Sequence, residues 1–350
     1  MNIKDILLWR AKRKFSKSPE KRLKVYDKMR SLVSNTMTVN QVINKLLARK
    51  KPSDLYMQPD AAFLNNVSEG YRKGYSLADT VRGWGDAGEI MLIRSGEETG
   101  KIDLALSRTI GMMEKMIGMK KAVKAEITYP IVLFIMLFVI VIGFAKFMLP
   151  ILTQFGDPEE WDIIAQALYY FSTWMSDNWF FVVLFVMGLV QLISYSLPRL
   201  TGALRDSLDK IPPYSIYKSI QSGILLISVG SLMQSGIPFR KALENIREEA
   251  TPYLKLKIEE IIDNIDRGMD NGKSINTKFI GKIGDDIEDY ASGANIEAAM
   301  EKLGDNAIND TLETIKTQSS IARVISIALV AGFVLWIYGA FVLITLALNI

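Results

Sequence analysis

Residues 31–47 read SLVSNTMTVNQVINKLL, and residues 231–247, at an offset of 200, read SLMQSGIPFRKALENIR. The two stretches align without a gap, sharing Ser-Leu and apolar pairs such as Met37/Ile237, Val39/Phe239 and Ile43/Leu243. Their apolar positions recur at helical spacing, and a match repeated at a fixed offset marks a duplicated unit. Further along, GYRKGYSL (70–77) meets GMDNGKSI (268–275) at an offset of 198, and ETGKIDLAL (98–106) meets SGANIEAAM (292–300). Each copy predicts a helix that ends at a left-handed glycine cap, Gly74 or Gly272. A serine, Ser76 or Ser274, then N-caps the next helix.

Each copy leads into an apolar run: IVLFIMLFVIVIGFAKFML (131–149) after the first, VISIALVAGFVLWIYGAFVLITLAL (324–348) after the second. A third run, WFFVVLFVMGLVQLISY (179–195), lies between them. Each is about long enough to cross a hydrocarbon core of roughly 30 Å as a helix. With 49% hydrophobic residues in 350, the chain is too apolar for a wholly soluble protein. The N-terminal MNIKDILLWRAKRKFSK has too short an apolar stretch for a secretory signal peptide.

Residues 150–178 hold no Lys or Arg but carry Asp157, Glu159, Glu160, Asp162 and Asp177, whereas residues 1–130 hold 25 Lys and Arg against 14 Asp and Glu. The positive-inside rule puts the acidic stretch outside and both repeats in the cytoplasm, with the C-terminal tail outside. The expected domains are a basic N-terminal arm (1–24), repeat 1 (25–128), a span (129–149), a short acidic periplasmic loop (150–178), a second span (179–197), repeat 2 (198–322) and a third span (323–348). The fold class is all-α: a polytopic membrane protein with three transmembrane helices and two homologous cytoplasmic helical-bundle repeats. Residues 198–322 hold 15 Lys and Arg against 19 Asp and Glu, so the copies differ in sign. That difference favours docking of one copy on the other, within or between chains.

No cysteine and no histidine is present, which excludes disulfides, thiol nucleophiles, Ser-His-Asp relays and His-ligated metal sites. The stretch RGMDNGKSIN (267–276) resembles the end of a phosphate loop, yet Gly268 to Gly272 encloses three residues where such a loop needs four. A helical pattern, LKLKIEEIIDNID, precedes it in place of a strand, and its twin in the first copy lacks the lysine. The expectation is a chain that neither binds nor hydrolyses ATP and takes energy from a partner motor. No catalytic, cofactor-binding or metal-ligating residue is assigned.

Local features remain open between two readings. The basic arm, with Arg10, Lys12, Arg13, Lys14, Lys17, Lys21, Arg22 and Lys24 beside Trp9 and Phe15, suits lipid or an acidic partner better than nucleic acid. Lys120, Lys121 and Lys124 ahead of the first span are topology determinants or partner contacts. Glu97 and Glu98 beside Gly100 form a partner or cation site, or else carboxylates at a helix N-terminus. Pro130 is expected to bend the helix as it enters lipid. Met112, Met113, Met116 and Met119 share a helical face and read as packing.

IRSGEETGKIDLAL (93–106), AEITYPIVL (125–133), FMLPILTQFG (147–156) and IPPYSIYKSIQSGILLISVGSLMQSGIPFRKALENI (211–246) together resemble the type II secretion system protein F family, which includes inner-membrane platform proteins of type IV pili. The second copy departs from the family's repeated Gly-Glu-x-x-Gly, reading YASGAN. The resemblance implies a non-enzymatic scaffold in the bacterial inner membrane. Such a scaffold couples a cytoplasmic hexameric assembly ATPase to pilin or pseudopilin subunits, contacts other inner-membrane components and forms a homo-oligomer. A receptor or sensor is the alternative, disfavoured by the short external segment, and a transporter stands last because the spans hold almost no ionisable groups.

Overall fold

A computed structural model describes residues 3–347 apart from 36, 52, 53, 155, 294 and 295. Among the described residues there is no β-strand, and the protein is an all-α polytopic membrane protein with a repeated domain. The tail beyond Ala347 lies outside the described residues. The chain divides into two compact units, Met1–Lys121 with Pro198–Leu312 and Ala122–Leu197 with Glu313–Ile350.

In the first unit the copies follow the same helix order, apart from the one-turn helix Asp54–Met57, which is found in the first copy alone among the described residues. Pro19–Val33, Val39–Leu47, Pro59–Arg72, Leu77–Val81 and Ala87–Glu98 are answered by Tyr214–Gln234, Phe239–Glu249, Pro252–Asp266, Asn271–Ile275 and Lys282–Gly293. The offset of 200 holds for the second pair: Val42, Ile43 and Leu46 are buried, as are Ala242, Leu243 and Ile246. Pro59 and Pro252 both open their helices, where a missing N–H costs nothing.

The register expected farther on is corrected by one helical turn. Gly74 has φ +83°, with Tyr75 N–H donating to the Gly70 carbonyl at 3.0 Å. In the second copy the residue with φ +83° is Gly268, not Gly272, and Met269 N–H donates to the Asn264 carbonyl at 3.2 Å. The structural offset is therefore 194. Gly272 and Ser274 lie inside Asn271–Ile275, and Asp270 is the N-cap there, as Ser76 is in the first copy. A slip of four residues is close to one 3.6-residue turn and keeps the same face inward, so apolar periodicity does not separate the two alignments.

Rather than forming two bundles, the copies share one core. Buried Leu92, Met112 and Met113 of the first copy and Leu225, Leu226 and Val229 of the second belong to a single cluster. Gly88 permits close approach at this junction: a Cβ added there would stand 3.2 Å from Met112 Sδ and 3.7 Å from Ser228 Oγ. Each fully buried Leu, Val or Met contributes about 1.5–3 kcal/mol, so apolar burial outweighs the screened charge difference in joining them.

The expected N-terminal arm is not detached. Ile3–Ser16 is a helix whose Phe15 is fully buried, stacking on Phe63 with ring centroids 4.7 Å apart and meeting Trp84 edge on at 5.8 Å.

Helix Ile102–Gly143 begins in the first unit, continues into the second and stays helical through Pro130. The departure from α-geometry comes later, at the π-turn Phe144–Met148 beside Lys146. Residues 150–178 are mostly helical, with Ile163–Asp177 as the main element, and do not form an open loop. Ala165 and Leu168 from that helix are buried with Phe144 and Leu152 and with Phe333, Ala340 and Ile344. Trp336 Nε1 donates to the Ile164 carbonyl at 3.0 Å.

Asp157 and Asp162, read from sequence as topology signals, also accept helix-capping bonds from the N–H groups of Glu159 and Ile164. By contrast no residue of Trp179–Ser196 is buried, as a helix surrounded by lipid requires. A fourth helix, Tyr214–Gln234, is also long and apolar enough to span, but 56% of its most apolar stretch is buried, and it supplies core to the first unit.

Candidate functional site

The stretch SGEETG (95–100), the most motif-like of the first copy, is built from three local constraints. Gly96 lies where a Cβ would come within 2.2 Å of the Ala105 Cβ, so only glycine lets the helix Ala87–Glu98 close on the one that follows. Gly100, at φ +68°, makes the left-handed turn between them, and Lys101 N–H donates to the Gly96 carbonyl at 2.9 Å. Glu97 reaches sideways: its carboxylate accepts from Leu77 N–H at 2.5 Å and Ala78 N–H at 2.9 Å.

Those two groups are unpaired donors at the start of helix Leu77–Val81, where the dipole favours a negative charge. Of the two readings the sequence left open, the structure thus gives Glu97 a helix N-terminus, although not that of the helix after it. Burial, then the Glu97 charge, pushes the Tyr71 phenol up from its ordinary value.

The second copy dispenses with such a glutamate. Asp270 there caps its own helix, accepting from Gly272 N–H at 2.8 Å and Lys273 N–H at 3.1 Å. The backbone donors that a phosphate at the Gly-Lys-Ser turn would need are thus held by a carboxylate. The Ser274 hydroxyl donates back to the Asp270 carbonyl at 2.7 Å, and the Lys273 side chain is exposed.

Of the remaining singled-out residues, Glu98 and Gly100 are exposed at the turn, and Lys120, Lys121 and Lys124 are exposed along helix Ile102–Gly143. Lys121 Nζ lies 3.1 Å from Glu20 Oε1. Lys120 and Lys124 share a face at i, i+4 spacing. Met112, Met113 and Met119 are buried. Among the described residues no group of three or more Asp or Glu side chains is placed to hold a metal ion.

Sequence reading missed the ion network that the basic run conceals. Arg22, assigned to the arm, is 1% exposed. Its Nε and Nη2 donate to both carboxylate oxygens of Glu89 at 2.8–3.1 Å, and Nη2 also donates to Asp86 Oδ2 at 3.0 Å. Nη1 donates to the carbonyls of Phe15 and Ser16, closing the end of the first helix. The Tyr26 hydroxyl donates to Glu89 Oε2 at 3.0 Å. Burial pushes the Glu89 carboxyl up from its ordinary value, and the Arg22 charge opposes it. The signal was present: Arg22, Val25, Tyr26 and Met29 fall at i, i+3, i+4 and i+7, one buried face.

Comparison with known proteins places these features. The family described as "Type II secretion system (T2SS), protein F" matches residues 25–150 and 225–344. The toxin coregulated pilus biosynthesis protein E of Vibrio cholerae is 24% identical over 329 residues, covering 92% of this chain and 95% of that protein. The type IV pilus assembly protein PilC of Pseudomonas aeruginosa is 24% identical over 302 residues, covering 79% and 78%. The protein transport protein HofC homolog of Escherichia coli is 22% identical over 261 residues, covering 71% and 64%.

Proposed function

The chain belongs to the type II secretion system protein F family, and on that footing we propose that it is the inner-membrane platform of a type IV pilus or type II secretion machine. In this reading a cytoplasmic assembly ATPase engages the first unit, and pilin or pseudopilin subunits are driven into the filament beside the spans. The observation that carries it is the fusion of both copies into one core, with helices Ile102–Gly143 and Ile296–Ala347 each continuing from that unit into the membrane-spanning one. Separate bundles would take up a motor's push as relative motion. A shared core passes it to both helices.

The charge asymmetry orients the chain with residue 1 and the first unit inside and the C-terminus outside. Reporter fusions after Pro150, near Lys257 and at Ile350 are expected to read out, in and out; an inside reading at Pro150 contradicts the orientation.

Exposed Glu98 is the contact offered to the motor, Glu97 being engaged internally, while Lys120 and Lys124 are separate candidate partner contacts. Charge reversal at Glu98 is expected to weaken co-isolation of the ATPase several-fold with the unfolding midpoint unchanged. Unaltered co-isolation, measured on the full-length chain, removes Glu98 from the contact.

A further inference from the structure

The two copies differ most beside the helix that opens with Pro59 or Pro252. In the first copy Phe63 stacks on Phe15 at 4.7 Å and meets Trp84 at 5.7 Å, so that aromatic rings fill the groove. At the offset of 194 set by the caps, Lys257 stands for Phe63, Glu260 for Asn66 and Asn264 for Gly70. The helix that brings Phe15 has 14 residues, whereas Ala203–Leu208, which precedes the second copy, has 6. Lys255 and Leu256 are exposed where their counterparts Ala61 and Ala62 are buried. What remains is a cavity of about 750 Å³, within the range of small-molecule sites.

Its wall carries a charge imbalance. Lys257 Nζ pairs with Asp206 at 3.0 Å, and Asp209 is held by Arg205 Nε and the Tyr253 hydroxyl, each at 2.8 Å. Those pairings leave Lys210, Lys218 and Lys278 facing the cavity with Glu260, and among the described residues none of the three lysines enters an ion pair. They come from three separate places, the turn after Ala203–Leu208, the helix Tyr214–Gln234 and the turn after Asn271–Ile275. Lys218 is half buried, and burial, with the Lys257 charge, lowers its ammonium from the ordinary value against the opposing charges of Asp209 and Asp206. With no carboxylate in direct ion-pair contact, a half-buried ammonium is stabilised further by an anion laid against it.

We propose that this cavity in the second copy binds a phosphorylated small molecule, with Lys210, Lys218 and Lys278 as point charges on its phosphate groups and Asn264 and Asn276 lining the remainder. Three lysines from separate elements, lining a volume far larger than one small anion, suit a ligand with two or more negative charges, and lysine binds phosphate as a point charge. The site is separate from the Gly-Lys-Ser turn, whose Lys273 does not line it.

Isothermal titration of inorganic pyrophosphate into the full-length protein in zwitterionic nanodiscs tests the assignment. Saturable binding is expected, weakened about tenfold by Lys218→Gln and similarly by exposed Lys278→Gln, and unchanged by Lys273→Gln. Repeating the titration with phosphatidylglycerol in the bilayer separates two sources of the same chemistry. Unchanged affinity indicates a soluble ligand, and affinity lost to competition indicates a lipid headgroup; both keep the phosphate assignment. Absence of saturable heat, indifference to both cavity substitutions, or equal weakening by Lys273→Gln overturns it.

Discussion

Replacing Arg22 by Met is expected to cost about 3–5 kcal/mol of stability, because it leaves a carboxylate buried without its counter-charge. Glu89 is 1% exposed, and after the substitution its one remaining side-chain donor among the described residues is the Tyr26 hydroxyl. The carbonyls of Phe15 and Ser16 lose the guanidinium as a donor as well, Phe15 keeping its bond from the Ser18 N–H, so the end of the first helix loosens together with the core. For a unit of this size the loss corresponds to a fall of roughly 6–20 °C in the thermal midpoint. The double replacement Arg22→Met with Glu89→Leu is expected to recover more than half of it, since an apolar pair of similar volume removes the desolvated charge. If Arg22 were a surface docking residue, as its place in a basic run suggests, the single substitution would shift the midpoint by a degree or less.

The second large effect is steric. Gly70 lies inside helix Pro59–Arg72, where alanine is ordinarily favoured by about 1 kcal/mol. Here a Cβ would come 2.1 Å from the Thr80 Cγ2. Thr80 is buried with its hydroxyl donating to the Leu77 carbonyl at 2.7 Å, so its methyl cannot turn away without losing that bond. Gly70→Ala is therefore expected to cost about 1–3 kcal/mol as overpacking, and Thr80→Ser in the same chain to restore stability by removing the methyl. The second copy already carries that combination, for Asn264 and Ser274 occupy the matching positions at the offset of 194. Ser274→Thr is accordingly expected to destabilise, and a Gly70→Ala variant as stable as the parent contradicts the packing.

The internal pair also shows where sequence was legible. Residues 31–47 and 231–247 align correctly because the match is gapless and includes the buried positions 42, 43 and 46 with their counterparts. Residues 70–77 misalign because identical glycines and serines recur at 198 while the caps recur at 194. The φ of Gly268, the bond from Met269 N–H to the Asn264 carbonyl and the bonds that Asp270 accepts distinguish the two.

The membrane runs are legible from length and polarity. The helix at 163–177 is not, because its Ala165 and Leu168 become core only when Phe333 and Ala340 are brought beside them. Glu97 illustrates the same limit: its two acceptor bonds go to residues 77 and 78, and no local pattern announces a partner twenty residues away.

Whether the chain is a motor-driven platform is tested most directly by counting surface filaments, or secreted cargo, in cells that lack it while keeping their assembly ATPase and pilins. The account predicts that filaments disappear, that pilin accumulates unassembled in the inner membrane, and that the full-length chain or its Lys273→Ala variant restores assembly equally. Filaments persisting at normal number without the chain, or restoration abolished by Lys273→Ala, contradict it.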